Sequence, residues 1–300
     1  MKTMNITSNK IKFLILPLVI IIAGVVMYFV NGGFNFDIEF MGGIRMQVDM
    51  EKEFDNEEVS AFLEETLGIS PVIVQAGSGT TATIKTQPLE DEQKDKIYSS
   101  LKEKYGLTGE APMSVNSASA SFGGEVQRKA FTYTLIAIIC ILIYIAFRFE
   151  WRSAVMAVIA LALNIFVMMA VYAITYTPLN TTFIAAMLTI IGYSINNTIV
   201  VFDRIRENMK GFKARKNGEK VSAVVDRSIS ESMGRTLNTT ITTLITIVLL
   251  YFLGVPSIKE FAFPLIIGVL VGAYSSIFVA SPFWAAWKEA EIEASAQKNK

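Results

Sequence analysis

The spacing of apolar residues restricts this chain more than any other feature. Hydrophobic residues make up 52% of its 300 residues, and the stretch 31–129 is polar enough for a folded domain outside the membrane. Six apolar runs approach the roughly 20 residues that a helix needs to cross a bilayer. They are Phe13–Val30, Ala130–Phe147, Ala154–Tyr176, Thr182–Phe202, Gly234–Leu253 and Phe261–Trp284. The sequence therefore predicts a polytopic α-helical membrane protein with six transmembrane helices.

Lysine and arginine predict the orientation of these helices. Nine basic residues lie from Arg204 to Arg235, around a predicted basic loop at 203–233, whereas the short loops Thr177–Thr181 and Gly254–Glu260 hold only Lys259. By the positive-inside rule, the N-terminal segment 1–12 and the tail 285–300 are cytoplasmic. No cleavage motif follows Val30, so the first run is interpreted as an uncleaved anchor.

The segment 31–129 is predicted to lie outside, between the first two helices. Its net charge of −8 disfavours nucleic acid as a partner. Its patterns alternate between periods of two and 3.6 residues in the order β-α-β-β-α-β, which predicts a ferredoxin-like α+β domain. The predicted elements are Gly43–Met50, Asn56–Leu67, Pro71–Gln75, Thr81–Thr86, Leu89–Tyr105 and Pro112–Ala118.

Several classes of chemistry are disfavoured by composition. The chain has no histidine, and its single cysteine, Cys140, falls inside an apolar run. Histidine-dependent nucleophiles, disulfides and cysteine-rich metal sites therefore have no residues to build them. No phosphate-binding Gly-x-x-x-x-Gly-Lys motif occurs. We expect neither an enzyme nor a protein that holds a metal or another cofactor.

Polar residues inside two of the apolar runs are the candidate functional residues. In the fourth run, Thr189, Tyr193 and the pair Asn196/Asn197 recur at helical spacing and are predicted to share one face. The fifth run carries a similar stripe at Arg235, 238/239, 242/243 and 246, and two such stripes on consecutive runs suggest that the two helices face each other. Polar groups at membrane depth are costly and usually face a bundle interior or a wet path. The candidates for an ion pathway or for coupling are Tyr193, Ser194, Asn196, Asn197, Arg235, Thr239 and Thr243.

A second interpretation of these stripes is structural. Serine, threonine and asparagine form hydrogen bonds between packed membrane helices, each worth about 0.6–2 kcal/mol. Threonine can also donate to the backbone of its own helix. The basic loop 203–233 has a similar pair of interpretations, because it could dock a cytoplasmic partner or anionic lipid, or could simply determine topology.

One motif resembles a known family. Gly192 to Asn208 reads Gly-Tyr-Ser-Ile-Asn-Asn-Thr-Ile-Val-Val-Phe-Asp-Arg-Ile-Arg-Glu-Asn. It resembles the fourth transmembrane helix of the SecF family, in which a membrane aspartate usually stands where this chain has Asn197. Gly192, Asp203 and Arg204 match the family.

Three further segments resemble the same family in the same order. Asp37-Ile-Glu-Phe-Met-Gly-Gly43 resembles the family's Gly-Ile-Asp-Phe-Thr-Gly-Gly, with Glu39 in place of aspartate and with Gly42 and Gly43 retained. Phe122-Gly-Gly-Glu-Val126, which holds Gly124 and Glu125, resembles the motif before the second helix. The segment 234–244 resembles the start of the fifth helix.

The resemblance implies membership of the SecD/SecF family within the resistance-nodulation-division superfamily. It implies a bacterial cytoplasmic membrane protein that pairs with a six-span SecD subunit and works with a SecYEG-type channel on unfolded preproteins. It also implies that the pair couples proton movement to motion of the outer domains. Asn197 cannot ionise. Either SecD supplies the titrating carboxylate, or the coupling ion is Na⁺, or the subunit is a passive scaffold. A small-molecule exporter of the same superfamily is a further alternative.

Overall fold

The chain forms two compact units in a computed structural model that describes residues 5–69, 71–76, 79–118, 120–148, 150–214 and 220–298. The helical unit comprises Met1–Phe34, Tyr133–Thr177 and Thr182–Lys300. The α+β unit comprises Asn35–Thr132 and Pro178–Thr181.

Ten α-helices and four strands account for most of the described chain. A 3₁₀ turn, Thr7–Asn9, precedes the first helix, and a π-helical turn, Ser276–Ala280, joins the last two. The helices are α1 (Lys10–Val30), α2 (Ile38–Met41), α3 (Asn56–Leu67), α4 (Asp91–Tyr105), α5 (Ala120–Arg148), α6 (Trp151–Thr175), α7 (Thr181–Ala214), α8 (Val221–Leu253), α9 (Pro256–Ser275) and α10 (Ser281–Lys298). The strands are β1 (Gly43–Asp49), β2 (Val72–Ala76), β3 (Thr81–Thr86) and β4 (Ser114–Ala118).

Five helical stretches among the described residues are long and apolar enough to cross a membrane. They are Thr7–Val30, Trp151–Thr175, Thr181–Lys210, Val221–Leu253 and Ser257–Ser295. The mostly helical chain therefore fits a polytopic membrane protein, as predicted. The remaining predicted run, Ala130–Phe147, lies within α5, where the described apolar stretch is the shorter Thr132–Ile141. A count of six spans therefore stays a prediction.

The predicted loop 203–233 is for the most part helical. Helix α7 continues to Ala214 and α8 already begins at Val221, and only part of the predicted loop, 215–219, lies outside the described residues. The charged residues of this segment are good helix formers, and Ile205, Val225 and Ile229 are each no more than 1% exposed. Helical packing thus extends past the apolar runs. For the same reason the tail predicted at 285–300 continues as helix to Lys298.

The core of the helical unit contains close approaches at small residues. An added Cβ at Gly268 of α9 would lie 2.5 Å from Ile190 of α7, and one at Gly24 of α1 would lie 2.4 Å from Ala170 of α6. A Cβ added at Gly272 of α9 would lie 3.2 Å from Ser194 of α7. Small residues at these positions let helix backbones come together, which is the main source of packing energy inside a membrane.

A buried carboxylate holds the start of the chain against α8. Asp226 is 7% exposed and accepts hydrogen bonds from the backbone N–H groups of Ile6 and Thr7 at 3.1 and 2.9 Å. The Thr7 hydroxyl donates to the second carboxylate oxygen of Asp226 at 2.8 Å. These donors begin the 3₁₀ turn that leads into α1, so the negative charge also lies at the favourable end of a helix dipole.

The α+β unit has a four-stranded sheet of order β2-β3-β1-β4 in which every neighbouring pair is antiparallel. Its elements follow the predicted order β-α-β-β-α-β. The predicted apolar faces of α3 and α4 are buried: Val59, Leu63 and Leu101 have no exposed surface. They pack with Val48 of β1 and Ile84 of β3 in one cluster.

Gly43 begins β1 with a backbone that other residues do not adopt. Its φ is +134°, and an added Cβ would lie 2.2 Å from the carbonyl oxygen of Thr86 on β3. We expect Gly43→Ala to lower the stability of the α+β unit by about 3 kcal/mol. Hydrogen exchange of β1 and β3 amides in the full chain measures this loss. Gly106→Ala is the control, because Gly106 also has positive φ but open space around it. Equal losses in both variants would contradict the argument.

Candidate functional site

Helices α7 and α8 run antiparallel, and residues 193–208 of α7 contact residues 228–243 of α8. The Tyr193 hydroxyl lies 3.5 Å from Thr243 Oγ1. Further along, Arg204 Nε donates to Glu231 at 2.7 Å and Asn208 Nδ2 donates to Ser228 at 2.9 Å. These contacts set a register in which position 197 of α7 lies level with residues 236–240 of α8. The two polar stripes predicted from the sequence therefore do lie on neighbouring helices.

A fully paired polar cluster lies on the buried face of α7. Asn164 of α6 has no exposed surface and contacts Ser194 at 2.5 Å. With its amide oxygen accepting from Ser194, its nitrogen donates to Ser275 Oγ at 2.8 Å and to the Ala160 carbonyl at 3.1 Å. Thr198 and Ser276 share a hydrogen bond of 2.7 Å. These hydrogen bonds connect α6, α7 and the end of α9.

Asn197 also lies on the buried face, but the nitrogen of its side-chain amide is unpaired among the described residues. The residue is 2% exposed, and among the described residues no acceptor faces its Nδ2. The hydroxyls of Thr236 and Thr240 on α8, at the same level, are buried and equally unpaired within the described part of the chain. A buried polar group without a partner costs about 1–3 kcal/mol. Buried polar groups that the described chain leaves unpaired are suited to a water molecule or an ion from outside it.

The stripe predicted along α7 divides between two faces. Thr189 and Asn196 are exposed and Tyr193 is half-buried, whereas Ser194 and Asn197 are buried. Consecutive residues on a helix point about 100° apart, so Asn196 and Asn197 cannot share the face that the sequence analysis gave them. The exposed polar face of α8 carries Arg235, Asn238, Thr239, Thr242 and Thr246.

The threonines of α8 are largely satisfied by their own helix. Thr239 donates to the Arg235 carbonyl at 3.0 Å and Thr243 donates to the Thr239 carbonyl at 2.9 Å. These hydroxyls need no ion to lie within a membrane, which supports the structural interpretation for them. Arg235 is exposed while Asn197 is buried, so the structure places the two on different surfaces.

Asn164, Ser275 and Ser276 belong to this cluster but were not among the residues predicted from the sequence. Each was visible as a polar residue inside an apolar run, the signal that singled out Asn197. Ser276 also opens the π-helical turn, and its hydroxyl donates to the Gly272 carbonyl at 2.8 Å. Pi-helical turns inside long helices are frequent at functional sites.

The motif residues outside this cluster have structural contacts. Glu39 accepts from the backbone N–H of Thr181 at 2.7 Å and from its hydroxyl at 2.5 Å, so it caps the first residue of α7 within the α+β unit. Gly124 and Glu125 lie in helix α5, and Glu125 pairs with Lys129 at 2.7 Å.

The remaining motif residues belong to α7. Gly192 and Asp203 are exposed, and Arg204 pairs with Glu207 at 2.6 Å as well as with Glu231. In the described ranges, no group of three His, Cys, Asp or Glu side chains could hold a metal ion.

Comparisons with known proteins decide the family. Residues 100–290 match the family model described as "Protein export membrane protein SecD/SecF, C-terminal". The SecF protein translocase subunit of Alicyclobacillus acidocaldarius is 36% identical over 96% of this chain and 94% of its own length. The chain belongs to the SecF family. The family predicted from the motif at Gly192–Asn208 is confirmed.

Longer relatives contain a SecF-like part. The chain is 34% identical to the SecDF translocase subunit of Bacillus subtilis over 96% of this chain but only 39% of that protein. The crystal structure of Thermus thermophilus SecDF, a translocon-associated membrane protein, matches with a TM-score of 0.84 and 32% identity, over 95% of this chain and 39% of that chain. This chain therefore corresponds to somewhat over a third of those SecDF proteins.

Proposed function

We propose that this chain is a subunit of the Sec protein-export machinery that pairs with a SecD-type six-span subunit in the bacterial cytoplasmic membrane. The pair assists unfolded preproteins that cross a SecYEG-type channel and draws on an ion gradient. Both termini are cytoplasmic, the chain has six spans, and the α+β unit has a ferredoxin-like fold. Relatives in which SecD and SecF form one polypeptide support the pairing.

The exposed polar faces of α7 and α8 carry this proposal. They lie in helices of spanning length, and Asn196, Arg235 and Asn238 would be costly against lipid. Gly192 and Gly234 are exposed on the same helices, and a Cβ added at either would meet nothing within 4 Å. Exposed glycines of this kind let a second membrane helix approach closely. A SecD-type helix bundle is the partner that would cover both features.

Coupling is proposed to act through the unpaired groups at the level of Asn197. An asparagine amide can order water or contribute an oxygen to a cation, but it cannot carry a proton by ionising. The SecD-type subunit would therefore supply the titrating carboxylate, and Asn197 would position the water or ion beside it. If the coupling ion is Na⁺, the amide oxygen of Asn197 would itself be one of the ligands of the ion.

A passive scaffold is the second candidate function. It is favoured by the hydrogen bonds that Thr239 and Thr243 make to their own helix, because polar residues satisfied in this way need no transported ion. In this case α7 and α8 would hold SecD without any energy coupling.

The pairing predicts which side chains cross-link to SecD. In a Cys140→Ser background, cysteine at Asn196 or Asn238 is expected to form cross-links with cysteines in membrane helices of the co-expressed SecD-type subunit. Cysteine at Ile22 of α1, which is 61% exposed, is the control and should remain uncross-linked. Cross-linking yield on non-reducing gels is the measurement. Equal yields at Ile22 and Asn196 would contradict the assignment of the polar face as the interface.

A further inference from the structure

The segment that leads into α7 is held by the first residues of the α+β unit. Residues 178–181 belong to that unit, although Thr181 is already the first residue of α7. Leu179 is 4% exposed. Its backbone N–H donates to the Asn35 carbonyl at 2.7 Å, and its carbonyl accepts from the N–H of Asp37 at 2.8 Å. The two chain segments therefore run side by side and parallel at this point.

Glu39 adds a second attachment, at the first residue of α7. Its carboxylate accepts from the backbone N–H of Thr181 at 2.7 Å and from the hydroxyl of the same residue at 2.5 Å. Hydrogen bonds to a charged acceptor are about twice as strong as neutral ones, and a negative charge is favourable at the N-terminus of a helix. Two backbone hydrogen bonds and two to Glu39 thus attach residues 179–181 to residues 35–39.

The segment around Glu39 is in turn fixed to the sheet. Asp37 has no exposed surface and pairs with one cation on β1 and one on β3. Ile38 and Phe40, the neighbours of Glu39 in α2, are 5% and 6% exposed. A displacement of the first residue of α7 therefore reaches the sheet, because no loosely packed loop lies between them to absorb it.

Helix α7 connects this attachment with the candidate coupling residue Asn197. The helix is continuous from Thr181 to Ala214, and no proline interrupts it. Asn197 follows Thr181 by 16 residues. At the rise of an α-helix this separation is about 24 Å along the helix axis. Rigid secondary elements carry coupling over such distances, so a shift of α7 near Asn197 also moves its first residue.

We propose that Glu39 is a positioning residue for energy coupling, because it makes the α+β unit and the start of α7 move as one body. Binding of water or an ion beside Asn197 would displace α7, and Glu39 would pass this displacement to the α+β unit. Without Glu39, the first turn of α7 would lose its cap and would absorb the displacement locally. The inference rests on the proposed coupling function and names the residue that transmits it.

A double-mutant cycle tests this role. The measured quantity is the gradient-dependent rate of preprotein export into vesicles that hold the chain, its SecD-type partner and the channel. Glu39→Ala should lower this rate about fivefold, at the low end of the couplings found between distant sites. If Glu39 and Asn197 act on one path, Glu39→Ala combined with Asn197→Leu should be no slower than Asn197→Leu alone. A role in folding alone would instead multiply the two losses.

Matched variants keep the test specific to α7. Glu51 of the same unit accepts from the backbone N–H and the hydroxyl of Thr108 at 2.7 and 2.6 Å, an equivalent pair of bonds that does not involve α7. Glu51→Ala should therefore export at the unaltered rate, and Glu39→Asp, which retains the carboxylate, should keep most of it. Thr181→Val removes one bond from the other side, and its smaller loss should disappear in the Asn197→Leu background. Hydrogen exchange of β1 and β3 amides verifies that the α+β unit is folded in each variant.

The outcomes separate this inference from the function on which it rests. Equal gradient-dependent rates in Glu39→Ala and the unaltered chain would overturn the inference and leave coupling at Asn197 in place. Losses that multiply in the double variant would overturn it as well. Export that no gradient stimulates in the unaltered chain would contradict the proposed coupling function, and the inference would fail with it.

Discussion

Asn197→Leu is expected to remove most of the stimulation of preprotein export by an ion gradient while leaving the chain folded and paired. Asn197 is 2% exposed and its Nδ2 has no acceptor among the described residues. Leucine has a similar size and removes an unmet polar group, so it should not weaken packing. If Asn197 orders water or an ion for coupling, that capacity disappears. We expect the gradient-dependent rate to fall at least about tenfold, the effect of about 1.4 kcal/mol on a barrier.

The measurement is completion of preprotein export into vesicles that hold this chain, its SecD-type partner and the channel. Asn197→Asp should retain export, because it restores the residue usual in the family, and should make the rate more dependent on external pH. Thr132→Val is the matched control, since Thr132 of α5 is exposed and its hydroxyl donates to the Arg128 carbonyl at 2.8 Å. Unaltered gradient-dependent rates in Asn197→Leu would leave the passive scaffold as the function.

Export measured in the same vesicles distinguishes between the two candidate coupling ions, H⁺ and Na⁺. A proton gradient and a sodium gradient are imposed in turn across membranes with the unaltered chain. Stimulation by protons alone would favour a carboxylate from the partner subunit, because Asn197 does not titrate. Stimulation by sodium alone would favour Asn197 as an oxygen ligand. Arg235→Ala tests whether the exposed face of α8 takes part, because Arg235 does not share the buried surface of Asn197.

The α+β unit was largely predictable because its signals are local. Helix α3 has the bounds predicted from the spacing of Val59 and Leu63, and β3 has the predicted bounds between two turns. The helical structure of the charged segment 203–233 was not predicted, because its many charged residues were interpreted as a loop. What makes it helical is packing at Ile205 and Ile229 against neighbours distant in sequence, and such neighbours cannot be identified from one helix.

The residue types of the candidate site and the helices that carry them were predictable from the sequence, but the side of each helix that is buried was not. Polar residues inside apolar runs identified α7 and α8 correctly as neighbours, which the Tyr193–Thr243 contact supports. Which side of α7 is buried depends on where α6 and α9 pack, and that is a tertiary property. Asn164 therefore emerged only as the structural partner of Ser194. Its position in α6 gave no sign of which helix it would meet.

A buried carboxylate in the α+β unit predicts the largest loss of stability. Asp37 has no exposed surface, and it pairs with Arg45 and, at 2.8 Å, with Lys85. Arg45 of β1 and Lys85 of β3 lie directly opposite each other in the sheet. Like charges facing across two strands repel, and Asp37 stabilises this pairing because it binds both cations.

Asp37→Asn should therefore lower the stability of the β1–β3 pairing by about 3–5 kcal/mol, because it removes the charge of a buried carboxylate that pairs with both Arg45 and Lys85. Hydrogen exchange of the amides of Arg45 and Lys85 in the full chain measures the change. Asp91→Asn removes an exposed carboxylate that pairs with Lys94, and it should have little effect since water already screens that pair. Combining Asp37→Asn with Lys85→Met should restore part of the protection by removing one of the facing cations. Exchange that is unchanged in Asp37→Asn would show that solvent, rather than Asp37, compensates the charges of Arg45 and Lys85.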